Sequence, residues 1–168
     1  MIHTRIMGID TSLRSTGVGI IESQGSKMIP LYYGLIKTAT GSPLSNSLLY
    51  LREELEKIIA AHQPQVAAVE GIFFARNVKT AILLAHARGT LIAQCAQQGL
   101  PVFEYEPRRV KMAVAGYGAA RKEQIQEMVK TLLHLEKVPP HDAADALALA
   151  ITHLHNRTSI RLNTTRPI

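Results

Sequence analysis

The sequence contains a single cysteine, Cys95, so it has neither a disulfide framework nor a thiolate metal site. Because Cys95 lies in an apolar, helix-like stretch, we interpret it as a buried structural thiol. No apolar run approaches the roughly 18 residues that cross a bilayer. Residues 1–5 run directly into a strand-like segment, without the apolar core of a signal peptide. These absences exclude a disulfide-rich secreted protein, and we expect a cytoplasmic location with no membrane partner.

Acidic residues are missing from two stretches of the chain. None occurs between Pro107 and Lys122, and none occurs after Asp145. The net charge is +6 and the isoelectric point is about 9.7, a balance that favours a polyanionic partner. The first acid-free stretch concentrates basic side chains: Arg108, Arg109, Lys111, Arg121 and Lys122. We therefore expect this stretch to bind phosphate groups, although a solvated basic face is the simpler alternative.

Hydrophobic periodicity divides the chain into ten elements. Three strands joined by short turns predict an antiparallel meander, which is followed by alternating helices and short apolar strands. The predicted strands cover residues 5–10, 17–21, 28–37, 66–70 and 102–105, and the predicted helices cover 43–62, 78–98, 108–115, 121–135 and 141–155. This order predicts an α/β protein with the RNase H-like fold: a mixed five-stranded sheet flanked by helices on both faces. We expect one domain of this fold over residues 1–157 and a flexible tail over residues 158–168.

Four acids occupy special positions in this arrangement. Asp10 ends the first strand and Glu70 ends the fourth, while Asp142 and Asp145 share one face near the start of the last helix. If the first and fourth strands are neighbours, the four carboxylates meet at one edge of the sheet. Oxygen ligands suit Mg²⁺ or Mn²⁺, and two such ions about 4 Å apart promote phosphodiester hydrolysis.

Each acid taken alone also has an ordinary structural explanation. Asp142 and Asp145 favour a helix N-terminus, Asp10 can cap a turn, and Glu70 can belong to a loop. Asp145 can also orient another ligand instead of binding metal directly. His141 is a candidate helper at the site, whereas we interpret His153 and His155 as solvated surface residues. The glycine at position 89, within an alanine-rich helix, suggests close packing against another element.

Several motifs resemble those of one family. Met7-Gly8-Ile9-Asp10 with Thr16-Gly17, the segment from Val69 to Asn77, Ala87-Arg88-Gly89, the segment from Pro101 to Tyr105, and the ending from Asp142 to Ala148 resemble the RuvC family of Holliday junction resolvases. The resemblance runs from about Arg5 to His155. One departure lies beside the first aspartate, where Thr11 and Ser12 replace the usual proline and glycine.

The resemblance implies a homodimeric Mg²⁺-dependent endonuclease, with Mn²⁺ as a substitute and two ions per active site. Such an enzyme resolves four-way DNA junctions by paired symmetric nicks in recombination and repair, together with the RuvA and RuvB proteins. It implies catalytic and metal-binding roles for Asp10, Glu70, Asp142 and Asp145. Lys111 and Lys122 match basic residues near the cut strand, and Phe73 matches an aromatic that stacks on an unpaired base. We add Arg76 and Arg108 as DNA-binding residues, and residues 78–98 as the dimer helix.

Three alternatives stay open at this point. A different RNase H-like nuclease, such as a YqgF-like RNA-processing enzyme, would share the fold. An actin-like phosphotransferase would share the opening motif but would need a second lobe. A non-catalytic DNA-binding module would not need four acids at strand and helix ends, because acids repel phosphate unless a metal intervenes.

Overall fold

The computed structural model describes residues 3–25, 27–71, 77–158 and 166–168. Five strands and five helices follow one another in the predicted order. They are β1 (Thr4–Asp10), β2 (Ser15–Gln24), β3 (Lys27–Lys37), α1 (Leu44–His62), β4 (Val66–Glu70), α2 (Val78–Gln97), β5 (Val102–Tyr105), α3 (Pro107–Ala115), α4 (Lys122–Leu132) and α5 (His141–Thr158). Within the described ranges, no helix has the length and apolar character needed to cross a membrane.

The five strands form one mixed sheet in the order β3-β2-β1-β4-β5. Strand β2 pairs antiparallel with both β1 and β3, whereas β4 pairs parallel with both β1 and β5. This arrangement confirms the predicted sheet. In the parallel pair β1–β4, Ile9 is aligned with Val69. Asp10 and Glu70 therefore follow at the same level on neighbouring strands, at the same edge of the sheet.

Helices cover both faces of the sheet, because side chains of a strand alternate between its two sides. Ile6 of β1 belongs to the core that the sheet shares with α3, α4 and α5. Its neighbours Met7 and Ile9 belong to the opposite core, which includes α1 and α2. Cys95 lies in this second core, and burial raises the pKa of its thiol to about 12. The prediction of a buried structural thiol is confirmed.

Helix α5 lies directly on the backbone of β1 and β2, at positions where those strands carry glycine. A Cβ on Gly8 would come within 1.8 Å of the Ala146 carbonyl oxygen, and a Cβ on Gly17 within 1.9 Å of the Asp142 carbonyl oxygen. Next to them, Gly19 faces the Leu147 side chain. These glycines let the helix approach the sheet more closely than any side chain would allow, and they place the first turn of α5 beside the end of β1.

The prediction that His153 lies on a solvated surface is wrong. His153 is only 3% exposed, because α5 is covered by the sheet on one side and by α3 and α4 on the other. Its Nδ1 lies 2.8 Å from the Tyr105 hydroxyl, and its ring packs against Phe103. Burial lowers the pKa of His153 to about 4. His155 is half-buried, with Nδ1 3.2 Å from the Ala113 carbonyl oxygen.

Three other expectations are modified by the structure. Helix α4 ends at Leu132, three residues earlier than predicted, and His134 beyond it adopts a left-handed conformation with φ of 52°. A Cβ on Gly89 would meet nothing within 4 Å, so this glycine does not mark close packing within the described chain. Helix α5 continues to Thr158, and the Ile168 amide donates to the Val102 carbonyl at 2.9 Å. The flexible tail remains a prediction.

We expect Gly8→Ala to destabilise the protein by about 3 kcal/mol or more, because the new methyl group would push the backbone of α5 away from β1. Gly34→Ala is the matched control. A Cβ there would meet the end of the Tyr32 side chain, which can move aside. Urea unfolding followed by circular dichroism measures both variants. Equal stability of the two variants would show that the α5 contact does not require glycine.

Candidate active site

The structure brings the four predicted acids to one edge of the sheet. Asp10 and Glu70 end the neighbouring strands β1 and β4, and Asp142 and Asp145 lie in the first turns of α5. Beside them is a cleft with a volume of about 180 Å³. The cleft is lined by three of the acids, two lysines and four other residues: Asp10, Glu70, Asp145, Lys111, Lys122, Pro107, Val110, Ile125 and Leu149.

Among the four acids, Asp10 has the most strongly raised pKa. Burial raises the pKa of Asp10 to about 8, and the negative charges of Asp145, Glu70 and Asp142 contribute further to this increase. The positive charge of Lys122 opposes this increase in the pKa of Asp10. An acid in such surroundings is costly to ionise unless positive charge is supplied nearby. The cluster is therefore arranged to attract a cation.

Glu70 and Asp145 show the same effect in weaker form. Burial raises the pKa of both carboxyl groups. Lys122 and Lys111 lower the pKa of both, so the two lysines partly balance the acids from across the cleft. His141, at the exposed start of α5, also lowers the pKa of Asp145. The assisting role of His141 at the site remains a prediction.

The donor set fits a hard divalent cation. Every candidate ligand is a carboxylate, and carboxylate oxygens are preferred by Mg²⁺ and Mn²⁺. Across residues 3–25, 27–71, 77–158 and 166–168, no three Asp, Glu, His or Cys side chains are already close enough to hold an ion. Mutual repulsion favours such separation, and the carboxylates would have to move together around a cation to complete a site.

A serine that the sequence analysis did not single out contacts one of the acids. The Ser15 hydroxyl donates to Oδ2 of Asp142 at 2.5 Å. Ser15 begins β2, next to the point where the Gly17 backbone meets the start of α5. A hydrogen bond of this kind restricts the carboxylate to one orientation. The hydroxyl-rich run from Thr11 to Thr16 was the available sequence signal.

The departure at Thr11 and Ser12 is compensated by hydrogen bonds within the same turn. The Thr16 hydroxyl donates to the Ser12 carbonyl at 2.5 Å, and the Ser12 amide donates to the Thr16 hydroxyl at 3.2 Å. The Ser12 hydroxyl accepts from the Arg14 amide at 3.3 Å. Side-chain hydrogen bonds of this type stabilise turns. The turn that follows Asp10 is thus held in place without proline and glycine.

The predicted DNA-binding residues have different locations. Lys111 of α3 and Lys122 of α4 line the cleft beside the acids. Arg108 is not among the lining residues, and its side chain lies next to Gly118. Phe73 and Arg76 lie outside the described residues. The roles of all five in DNA binding remain predictions.

Together, the mixed sheet and the acid cluster define a nuclease of the RNase H-like class, as the sequence predicted. A family model described as crossover junction endodeoxyribonuclease RuvC matches residues 6–153. The chain belongs to this RuvC family and is an endodeoxyribonuclease. The predictions of family and enzyme class are confirmed.

Close relatives and solved structures agree with this assignment. RuvC from Desulfitobacterium hafniense (strain DSM 10664 / DCB-2) is 48% identical over 152 residues, covering 90% of this chain and 92% of the relative. RuvC from Caldicellulosiruptor saccharolyticus is 47% identical over 158 residues, covering 93% and 95%. The structure of T. thermophilus RuvC in complex with Holliday junction substrate matches with a TM-score of 0.90 and 31% identity, covering 98% of this chain and 99% of that one.

Ser15→Ala should slow DNA cleavage by about 10-fold or more, because a hydrogen bond to a charged group contributes roughly 1.5–3 kcal/mol. Ser15→Thr retains the hydroxyl group and should restore most of the rate. Single-turnover cleavage at saturating protein measures this effect apart from DNA binding. Parental rates for Ser15→Ala would show that Asp142 needs no support from Ser15.

Proposed function

We propose that this protein resolves four-way Holliday junctions by two symmetric nicks, hydrolysing one phosphodiester bond in each of two opposed strands. The observation that carries the proposal is the meeting of Asp10, Glu70 and Asp145 with two lysines in one cleft, in a chain of the RuvC family. The matched T. thermophilus RuvC structure is a complex with Holliday junction substrate, which supports the same substrate here. The physiological setting would be homologous recombination and DNA repair.

The acids would hold the catalytic cations. Asp10 and Glu70 present oxygen ligands from the sheet, and Asp142 and Asp145 present them from α5. We propose Mg²⁺ as the ion, two per site, with Mn²⁺ as a substitute. Bound ions of this kind activate water and stabilise the charge that develops on the attacking and leaving oxygens. In the cluster they would also offset the burial and the neighbouring negative charges that together raise the pKa of Asp10.

The lysines would supply the positive charge that draws DNA to this acidic cleft. Lys111 and Lys122 line the same cleft as Asp10, Glu70 and Asp145 and partly offset the burial that raises the pKa of Glu70 and Asp145. Their ammonium groups can neutralise phosphates on either side of the cut bond, which positions the strand without reading its sequence. Arg108 belongs to the same acid-free stretch and is exposed, so we propose that it binds phosphates outside the cleft.

We propose a homodimer as the functional unit, because two coordinated nicks require two sites related by a two-fold axis. Helix α2 supports this proposal because exposed apolar side chains follow one another at helical spacing in a stripe along one side of it. Val78 is 74% exposed and Ile82 is 51% exposed, and a Cβ on Gly89, further along the stripe, would meet nothing within 4 Å. Cooperation with RuvA and RuvB and a cytoplasmic location remain predictions.

The parent protein should nick a labelled four-way junction at symmetric positions in Mg²⁺ or Mn²⁺, with little cleavage of a matched linear duplex. Asp10→Asn removes one charge at constant size. We expect it to lower the cleavage rate by about 100-fold or more, because the cations lose a ligand. Junction binding in EDTA should be equal or tighter, because repulsion from phosphate falls. Gel electrophoresis and fluorescence anisotropy measure the two quantities.

Three outcomes would contradict the proposal. Cleavage that survives EDTA would exclude the cation chemistry, and equal cleavage of the linear duplex would exclude junction selectivity. Near-parental cleavage by Asp10→Asn would mean that the acid cluster is not the active site.

The dimer is tested by Ile82→Glu, which places a charge on the exposed stripe of α2 and should convert the protein to monomers. Val138→Glu is the matched control, because Val138 is 40% exposed and lies between α4 and α5, two helices that pack on the sheet face opposite α2. Sedimentation velocity at micromolar concentration distinguishes the two states. A dimer that persists in Ile82→Glu would exclude α2 as the interface.

A further inference from the structure

Arg88 of α2 makes two directed contacts, one with β4, which carries Glu70, and one with the adjacent strand β5. Its Nε donates to the carbonyl oxygen of Glu70 at 3.3 Å, and its Nη2 forms an ion pair with the Glu104 carboxylate of β5. The Arg88 side chain is only 14% exposed, whereas that of Glu104 is 37% exposed. One guanidinium therefore joins α2, β4 and β5 in a partly buried position.

The contact with Glu70 is made at the last residue of β4. Glu70 is aligned with Tyr105, and the following Gly71 amide donates to the Tyr105 carbonyl at 2.9 Å. This bond satisfies the amide side of the strand end, and Arg88 binds the Glu70 carbonyl. The Glu70 carbonyl and the Gly71 amide belong to one peptide group, which is therefore held on both sides. This limits rotation of the backbone that carries the Glu70 carboxylate.

We propose that Arg88 is a positioning residue that holds the backbone of Glu70 in the orientation required for cleavage. The proposal rests on the proposed nuclease role of Glu70. Arginine suits this position because its planar guanidinium donates to two acceptors in different directions at once. The ammonium group of lysine is a compact charge and cannot reproduce this two-directional donation. Displacement of a catalytic group by about 1 Å can lower a rate by roughly 100-fold.

Arg52, which lies on α1 and binds α2, provides the comparison for a purely structural role. Arg52 of α1 donates through Nε to the Gln94 side chain at 2.9 Å and through Nη2 to the Gln97 side chain at 3.2 Å. It also joins two elements through a forked donor, but both of its partners belong to α2 and neither lies on a catalytic strand. Loss of Arg52 should affect the packing of α1 on α2 and leave the site unchanged.

The test compares Arg88→Lys with Arg52→Lys in the full-length protein. The fraction of folded molecules is measured for each by junction binding in EDTA. We expect Arg88→Lys to lower the single-turnover rate by about 10-fold to 100-fold. The affinity for Mn²⁺, measured by calorimetry, should fall several-fold, and the affinity for the junction should not change. Arg52→Lys should change the melting temperature without changing the rate per folded molecule. Glu104→Gln should have an intermediate effect, because the contact between Arg88 and Glu70 remains.

The outcomes separate this inference from the proposed function. If the parent protein does not cut junctions, the proposed function fails. If the parent cuts and Arg88→Lys cuts and binds Mn²⁺ equally well per folded molecule, the positioning role is wrong. If both arginine variants lose rate in proportion to their loss of folded protein, Arg88 is structural only, and the positioning role is again wrong.

Discussion

The close contact between α5 and the glycine-bearing strands β1 and β2 is the constraint on which the site depends. Gly8 and Gly17 leave room for the backbone of α5 itself, so the helix lies against the main chain of the sheet. This contact sets the distance between Asp10 at the end of β1 and the two aspartates at the start of α5. A helix raised by one layer of side chains would separate these groups and open the cleft. Packing and chemistry are thus decided by the same interaction.

The acid cluster is unfavourable for the protein on its own. Burial and neighbouring negative charges raise the pKa of Asp10 to about 8, which means that ionising it costs free energy in the absence of a cation. Lys122 relieves part of this cost, and Lys111 and Lys122 partly offset the burial that raises the pKa of Glu70 and Asp145. The acids outnumber these lysines, so the site still favours bound cations, and such cations can in turn bind phosphate. The hydrogen bond from Ser15 and the contact from Arg88 are consistent with this view, because repelling groups need support to stay in place.

Much of the fold could be predicted because the chain has clear periodicity. Short turns between β1, β2 and β3 allowed only an antiparallel meander, and the short apolar run 66–69 predicted the buried strand β4. Both errors arose because the packing between elements, which local spacing does not show, decides which side of a helix is covered. His153 looked like a surface residue from its spacing to His155, but α3 and α4 cover the outer side of α5. Gly89 suggested a close contact, yet it lies on the exposed side of α2.

The sequence by itself determined the identity of the acids, the basic stretch and the family, because these depend on residue types at particular positions along the chain. It also determined that Asp142 and Asp145 share a helical face, since three-residue spacing does so in any α-helix. Only the tertiary structure decided that Ser15 binds Asp142, 127 positions away, and that Arg88 reaches the carbonyl of Glu70. Such contacts depend on how the helices are packed against the sheet. A packing geometry arises from many side chains at once, and no local pattern encodes it.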